Sequence, residues 1–309
     1  MIDRLIDRIK TLSAPIVVGL DPTLDMIPER IKQNCRARFD DREKSLKAVS
    51  SALFEFNREI IDSVYDLVPA VKPQIAMYER YGIDGLCAYI NTAEYAQSKG
   101  LLVIGDIKRG DIASTAAAYA SHIGGTEAFG ETFFLWPQDA VTLNPYLGRD
   151  SIKPFLDVCE KQDKGIFLLV KTSNPGSADL QDLQLQSGLT VYEHIADLVS
   201  AWGAGLIGKY GYSKAGAVVG ATFPEQGREL RKRMPHTFFL VPGYGAQGGS
   251  GKDLRGFFDN SGIGCIVNSS RGITAAWKND KRFGENNTGD AAREAVIAMK
   301  KDLQEAFCA

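Results

Sequence analysis

The stretch GDIKRGDIAST (105–115) carries three side chains whose types and spacing suit proton transfer, Asp106, Lys108 and Asp111. They follow an apolar run, Leu101 to Ile104, that reads as a buried strand. Alternate side chains of a strand share a face, so Asp106 and Lys108 are expected to point the same way. Ordinary solvated loop charges have no need of that phase. A lysine flanked by carboxylates admits two chemistries. As a Schiff-base nucleophile, Lys108 needs a neutral amine, which desolvation or a cationic neighbour would supply. Its neighbours are instead Asp106 and Asp111, which favour the ammonium. The local sequence therefore points to a proton donor, or an electrostatic stabiliser of a developing carbanion.

A second constellation lies further along. PGYGAQGGSG (242–251) is glycine-rich, which lets backbone N–H groups approach an anion closely. NSSRG (268–272) then supplies Arg271, whose planar fork suits phosphate oxygens. A glycine-rich loop alone is weak support; beside an arginine it favours a phosphorylated small substrate.

These residues need a scaffold that gathers them. Eight short β-branched apolar runs recur at 16–21, 67–73, 101–108, 140–145, 165–173, 215–222, 237–243 and 264–270. Most are separated by segments with helical spacing, such as SALFEFNREIIDSVYDL and GLTVYEHIADLVSAWGA. Near-continuous hydrophobicity is the mark of parallel strands covered on both faces. With no Pro/Gly/Ser-rich linker, residues 1–309 are expected to form one domain, an α/β fold of the (β/α)8 TIM-barrel type. A doubly wound open sheet is the alternative, but no G-x-G-x-x-G follows an early strand. In a barrel the active site sits at the carboxyl ends of the strands. The runs end in Asp21, Lys72, Asp106 with Lys108, Asn144, Lys171 to Ser173, the 242–251 loop and Arg271.

Composition excludes several classes. The chain is 44% hydrophobic and 24% charged with a formal net charge of −2, so neither nucleic acid nor an anionic membrane is expected as a partner. No apolar run approaches the roughly 18 residues that span a bilayer. The first residues, MIDRLIDRIKTL, read as an amphipathic helix with Ile2, Leu5, Ile6 and Ile9 on one face, not as a secretory signal. The five cysteines are scattered and odd in number without a C-x-x-C pair, which fits a reducing cytoplasm. His122, His194 and His236 are far apart, so no metal site is expected, and all three read as packing or surface residues. The RGD at 109–111 reads as chance, residues 29–44 as a solvated helical insertion and 278–290 as a polar loop.

Taken together, the segments resemble those of the orotidine 5'-phosphate decarboxylase family. DIKRGDIAST (106–115) matches its Asp-x-Lys-x-x-Asp-Ile-x-x-Thr signature, and VGLD, VKPQ, KTSNPG, VVGAT, PGYGAQGG and the arginine after the last strand follow in the family's order. AVKPQIAMYE, KTSNPG and the length resemble its longer bacterial (type 2) branch. The resemblance implies a cofactor-free, metal-free homodimeric barrel that converts orotidine 5'-monophosphate to UMP. It implies that Lys108 protonates C6 and that Asp106 sits near the substrate carboxylate, in a charged chain with Lys72. Asp111, Ile112 and Thr115 would reach the neighbouring subunit's site. Asp21 and Lys72 would hold ribose hydroxyls with Gln74 close by, and Ser173 would hydrogen-bond the pyrimidine edge. Gln247 and Arg271 would bind phosphate with a backbone N–H from Ser270, while Pro242 packs on the ring. Two rivals remain at this point. One is a sister barrel acting on a sugar phosphate with Mg2+ through an enediolate, which KTSNPG and PGYGAQGG disfavour. The other is a degenerate barrel that only binds a nucleotide, for which an intact Asp106, Lys108 and Asp111 set would be superfluous.

Overall fold

The computed structural model describes residues 1–39, 45–245 and 249–308. Each of the eight apolar runs forms a strand: β1 (Ile16–Leu20), β2 (Ala70–Pro73), β3 (Leu102–Arg109), β6 (Ala140–Leu143), β7 (Gly165–Lys171), β8 (Ser213–Val219), β9 (Thr237–Val241) and β10 (Cys265–Ser269). Between β3 and β6 the chain adds a small antiparallel hairpin, β4 (Thr126–Ala128) with β5 (Glu131–Phe133). The eight longer-range strands pair in parallel and close into a barrel in the order β1-β10-β9-β8-β7-β6-β3-β2. The expected TIM-barrel architecture is therefore the observed one.

Alternation along the strands divides the core in two. Val17, Ala70, Leu102, Ile104, Ala140, Phe167, Phe238 and Ile266 pack together inside the barrel. Their neighbours Ile16, Val18, Val71, Val103, Val141, Ile166 and Leu168 pack outward on helix residues such as Phe56, Ile60, Tyr89 and Phe155. Both faces are covered, which is why the strands read as unbroken apolar runs.

The amphipathic helix at the start of the chain, Ile2–Leu12, buries the four residues its spacing singles out. Met1, Ile2, Leu5, Ile6 and Ile9 join the interior cluster and close the barrel at the amino ends of its strands. The helix stops at Ser13, which takes the left-handed conformation (φ 48) and returns its N–H to the Ile9 and Lys10 carbonyls. With one end sealed by apolar side chains, the polar interior is left at the other.

The 29–44 insertion is helical at Glu29–Arg36, but it is not simply solvated. Ile31 and Cys35 are buried in the outer core, and Arg30 grips Glu59 through two hydrogen bonds of 2.8 and 2.7 Å. Residues 40–44 of that insertion lie outside the described residues. The polar 278–290 stretch contains two short helical pieces, the end of Ala276–Asn279 and the turn Glu285–Asn287, before the last helix, Thr288–Cys308. His122 is a packing residue as expected, stacked on Trp136 at 4.4 Å. Among the described residues, no helix is long and apolar enough to cross a membrane.

Leu5 has no solvent exposure and no side-chain alternative to the barrel floor. Leu5→Ala is expected to cost about 2–5 kcal/mol by the transfer and cavity terms together. Urea denaturation of the two proteins measures it; a loss below about 0.5 kcal/mol would mean the helix is not part of the cooperative core.

Candidate active site

At the carboxyl ends of the strands the regular ladder breaks where β3 carries its charges. The β3–β6 register shifts between Gly105 and Arg109, and Lys108 sits at φ 46, a left-handed conformation. For a residue with a side chain that conformation costs about 1–2 kcal/mol. It persists because the surroundings hold it: the Lys108 N–H donates to Thr142 Oγ1 on β6 at 3.0 Å. Next along, Gly110 has room for no side chain, since a Cβ there would come within 2.8 Å of the Asn144 carbonyl oxygen. Asp106 and Lys108 meet as the period of two suggests, and from this turned backbone Lys108 Nζ reaches back to Asp106 Oδ1 at 2.5 Å.

Asp106 is the hub. Its Oδ1 accepts from Lys108 Nζ at 2.5 Å and Thr142 Oγ1 at 2.8 Å; its Oδ2 accepts from Lys72 Nζ at 2.7 Å and Gln74 Nε2 at 3.0 Å. Two donors on each oxygen satisfy the carboxylate as fully as its lone pairs allow. Burial by itself would push the Asp106 carboxyl up, but the Lys72 and Lys108 ammoniums outweigh it and hold the group well below the usual carboxylate range. Lys72 is the mirror case. Burial would lower it, but Asp106 and then Asp21 outweigh burial and keep its pKa above the ordinary lysine value. Asp21 Oδ1 stands 4.0 Å from Lys72 Nζ and is buried without a hydrogen-bond partner of its own.

A cavity of about 640 Å³ opens beside this cluster. Of the residues singled out by sequence, Asp21, Lys72, Asp106, Pro242, Ser270 and Arg271 line it. Arg271 is exposed and begins the short helix Arg271–Thr274, directly after β10, with Lys278 also on the cavity wall. Its wall carries the carboxylates Asp21, Asp25 and Asp106 together with the cations Lys72, Arg271 and Lys278, so it suits a small polar molecule that bears an anionic group. Ser173 is half-buried in the segment after β7 and is not part of the cavity wall; its carbonyl accepts from Thr222 Oγ1 at 3.1 Å. Asp111 makes no ion pair among the described residues, and its Oδ1 accepts the Ile112 N–H at 2.7 Å. Ile112 is 61% exposed and Thr115 half-buried on the same turn. Gln247 lies outside the described residues.

The sequence missed four contributors. Thr142, the link between the Lys108 backbone and Asp106, stands two residues before Asn144 on β6, so its inward phase was readable. Asn268 and Met77 line the cavity without any charge to flag them, and Lys278 sat inside a stretch that reads as surface loop. Arg109, the fourth charge of the opening stretch, turns away from the site to pair with Glu79 and lies over the Tyr119 ring.

Comparison with known proteins agrees across sequence and shape. The model of the "Orotidine 5'-phosphate decarboxylase / HUMPS family" matches residues 15–282. The orotidine 5'-phosphate decarboxylase of Rhodopirellula baltica is 46% identical over 291 residues, 93% of each chain. That of Petrotoga mobilis is 45% identical over 306 residues, 98% of each chain. Among solved structures, Leishmania donovani OMP decarboxylase superposes with a TM-score of 0.73 at 30% identity, covering 100% of this chain and 99% of that one.

Removing the hub strands a buried ammonium. Asp106→Ala is expected to cost about 3–5 kcal/mol of stability at neutral pH, because Lys72 loses its compensating charge. Asp106 titrates lower in the folded than in the unfolded chain, so its contribution is present above the ordinary value of 3.8 and is lost as pH falls through the folded value. Denaturation of both proteins against pH should show the gap between them narrowing below about pH 4; a gap that widens toward acid would contradict the ionised, paired state.

Proposed function

The chain belongs to the orotidine 5'-phosphate decarboxylase / HUMPS family, and from that premise we propose how its own residues carry out the reaction. The activity is decarboxylation of orotidine 5'-monophosphate to UMP, the last step of de novo pyrimidine biosynthesis. The observation that carries the mechanistic reading is the asymmetry of the two lysines on Asp106: Lys72 is 5% exposed and Lys108 45%. Lys72 is the buried counter-charge of Asp106 at the cavity wall, whereas Lys108 is the more exposed ammonium, which we assign to the reacting carbon.

Loss of CO2 directly from the pyrimidine leaves an electron pair at C6 with little delocalisation, so the barrier is high. A fixed ammonium next to that carbon stabilises the developing anion more than the ground state, which is the condition for acceleration. Lys108 then delivers its proton to C6, and the neutral amine recovers a proton from solvent. Asp106 keeps Lys108 charged and aimed, and Lys72 keeps Asp106 ionised. Asp21 and Lys72 take the ribose hydroxyls, with Gln74 beside them. The unpartnered Asp21 Oδ1 supports that role, being an acceptor in need of a donor. Ser173 meets the pyrimidine edge and Pro242 packs on the ring. Arg271 with the Ser270 N–H and Gln247 takes the phosphate, whose remote binding energy orders the reacting end.

The working unit in this reading is a homodimer. Asp111, Ile112 and Thr115 would serve the partner's site, which accounts for an aspartate left without an ion partner beside a 61% exposed isoleucine. Tyr146 and Leu147, exposed after the adjacent strand β6, add apolar surface for a second copy to cover. The free thiols Cys35, Cys87, Cys159 and Cys265 accord with a reducing, cytoplasmic setting; in this reading residues 1–309 work as one barrel domain without metal or organic cofactor.

Two measurements test this. Lys108→Ala should lose at least the ~3–4 kcal/mol of transition-state stabilisation typical of one preorganised electrostatic contact, or about 10²–10³-fold in kcat. An absorbance assay with orotidine 5'-monophosphate in excess EDTA reads it; near-normal turnover by the variant would remove Lys108 from its role. Mixing inactive Lys108→Ala with inactive Asp111→Ala chains should restore activity through heterodimers holding one complete site. Absence of recovery after demonstrated subunit exchange would overturn the shared site.

A further inference from the structure

A fully buried ammonium outside the catalytic cluster belongs to Lys171, which ends β7. A strict alternation would aim it at the barrel mouth, but the β7–β8 register shifts between Leu169 and Lys171. The ammonium lies instead over the Phe223 ring at 4.5 Å and the Tyr192 ring at 5.5 Å, in the helix layer. Its Nζ donates to Asp182 Oδ1 at 2.8 Å, and Gln226 Nε2 donates to the same oxygen at 3.2 Å.

That ion pair closes a loop of the chain. Lys171 and Asp182 are eleven residues apart, and the segment between them carries Ser173. Inside the clasp a second pair of bonds runs in parallel: the Thr172 N–H donates to Gln181 Oε1 at 3.0 Å, and Gln181 Nε2 donates to Thr172 Oγ1 at 2.8 Å. On the opposite side, a Cβ on Gly220 would come within 2.8 Å of the Ser173 backbone, so the β8 end presses directly on that residue. Ser173 is thus held through its backbone and its flanking residues, while its hydroxyl makes no hydrogen bond among the described residues.

Burying a lysine for stability alone is poor design, because an apolar residue of similar volume usually does as well or better. What an ion pair adds is direction: Lys171 has one carboxylate to meet, and meeting it sets where residues 172–181 run. We infer that the Lys171–Asp182 pair is a positioning device for Ser173, fixing the height of its hydroxyl against the pyrimidine edge. The inference rests on the reading of Ser173 as the pyrimidine contact. Lys171 itself is sealed from the substrate and acts only through that segment.

A double-mutant cycle tests it, with kcat/KM for orotidine 5'-monophosphate measured on full-length Lys171→Met, Ser173→Ala and the double variant. Each single substitution should lower kcat/KM tenfold or more. Lys171→Met should then cost less than threefold further in the Ser173→Ala background, because the group it positions is already gone. Asp182→Asn, isosteric and partly exposed, is run through the same cycle and decides the matter if Lys171→Met does not fold. A merely structural pair would cost the same factor in both backgrounds, and that result overturns the inference. So would a folded Lys171→Met or Asp182→Asn enzyme with unchanged kcat/KM. An unchanged Ser173→Ala enzyme would instead remove the pyrimidine role of Ser173, and the inference with it.

Discussion

Everything at the mouth of the barrel is organised around one carboxylate whose partners keep it ionised well below the usual carboxylate range. Asp106 is almost buried, an environment that alone would neutralise it, and two ammoniums reverse that outcome. Four donors arranged two to an oxygen leave it no freedom to rotate. A charge so fixed transmits its geometry to its partners. Lys72 is locked in the cavity wall and Lys108 is held beside Asp106, so a flexible lysine chain is turned into a placed ammonium without the loss of its charge.

That arrangement is costly locally and the cost is spread over neighbouring strands. Lys108 adopts a left-handed backbone conformation, Gly110 is forced to lack a side chain by the Asn144 carbonyl, and Thr142 ties the strained amide to the hub. Strain of this kind survives only where the scaffold over-determines it. The barrel supplies the excess: interior and exterior clusters clamp every strand on two faces, and the Ile2–Leu12 helix seals the far end. The same device recurs at β7, where a second register shift turns Lys171 into the helix layer and leaves Ser173 on a clasped segment. Of the barrel's three register shifts, two accompany a redirected lysine, Lys108 and Lys171, and only the first of these lysines bonds to Asp106.

The cavity joins two kinds of electrostatics. One is a hydrogen-bonded cluster in which the Lys72 and Lys108 ammoniums share the Asp106 carboxylate, with Asp21 4.0 Å from Lys72. The other is the positive charge of Arg271 and Lys278, the latter bonded to the Asp25 carbonyl, and the arginine's planar fork suits a phosphate. In the proposed reaction the phosphate's remote binding energy would act on the reacting carbon while the Asp106 cluster holds the proton donor.

Much of this was legible in the amino-acid sequence. Eight apolar runs of the right length imply covered parallel strands, and strands followed by Asp21, Lys72, Asp106 and Arg271 imply a site at their carboxyl ends, because hydrophobic continuity and strand termination are local properties. The amphipathic face of the first helix was readable for the same reason. What the sequence could not supply was every feature that depends on two strands meeting out of register. The period of two placed Asp106 and Lys108 together, but the register shift and the left-handed residue at which they meet are announced by no local pattern. Thr142 and Asn268 became part of the site only when β6 and β10 were set beside their neighbours, and Lys171 left the mouth only because β7 slips against β8. Register is fixed by packing between segments distant in the chain, so it belongs to the tertiary structure alone.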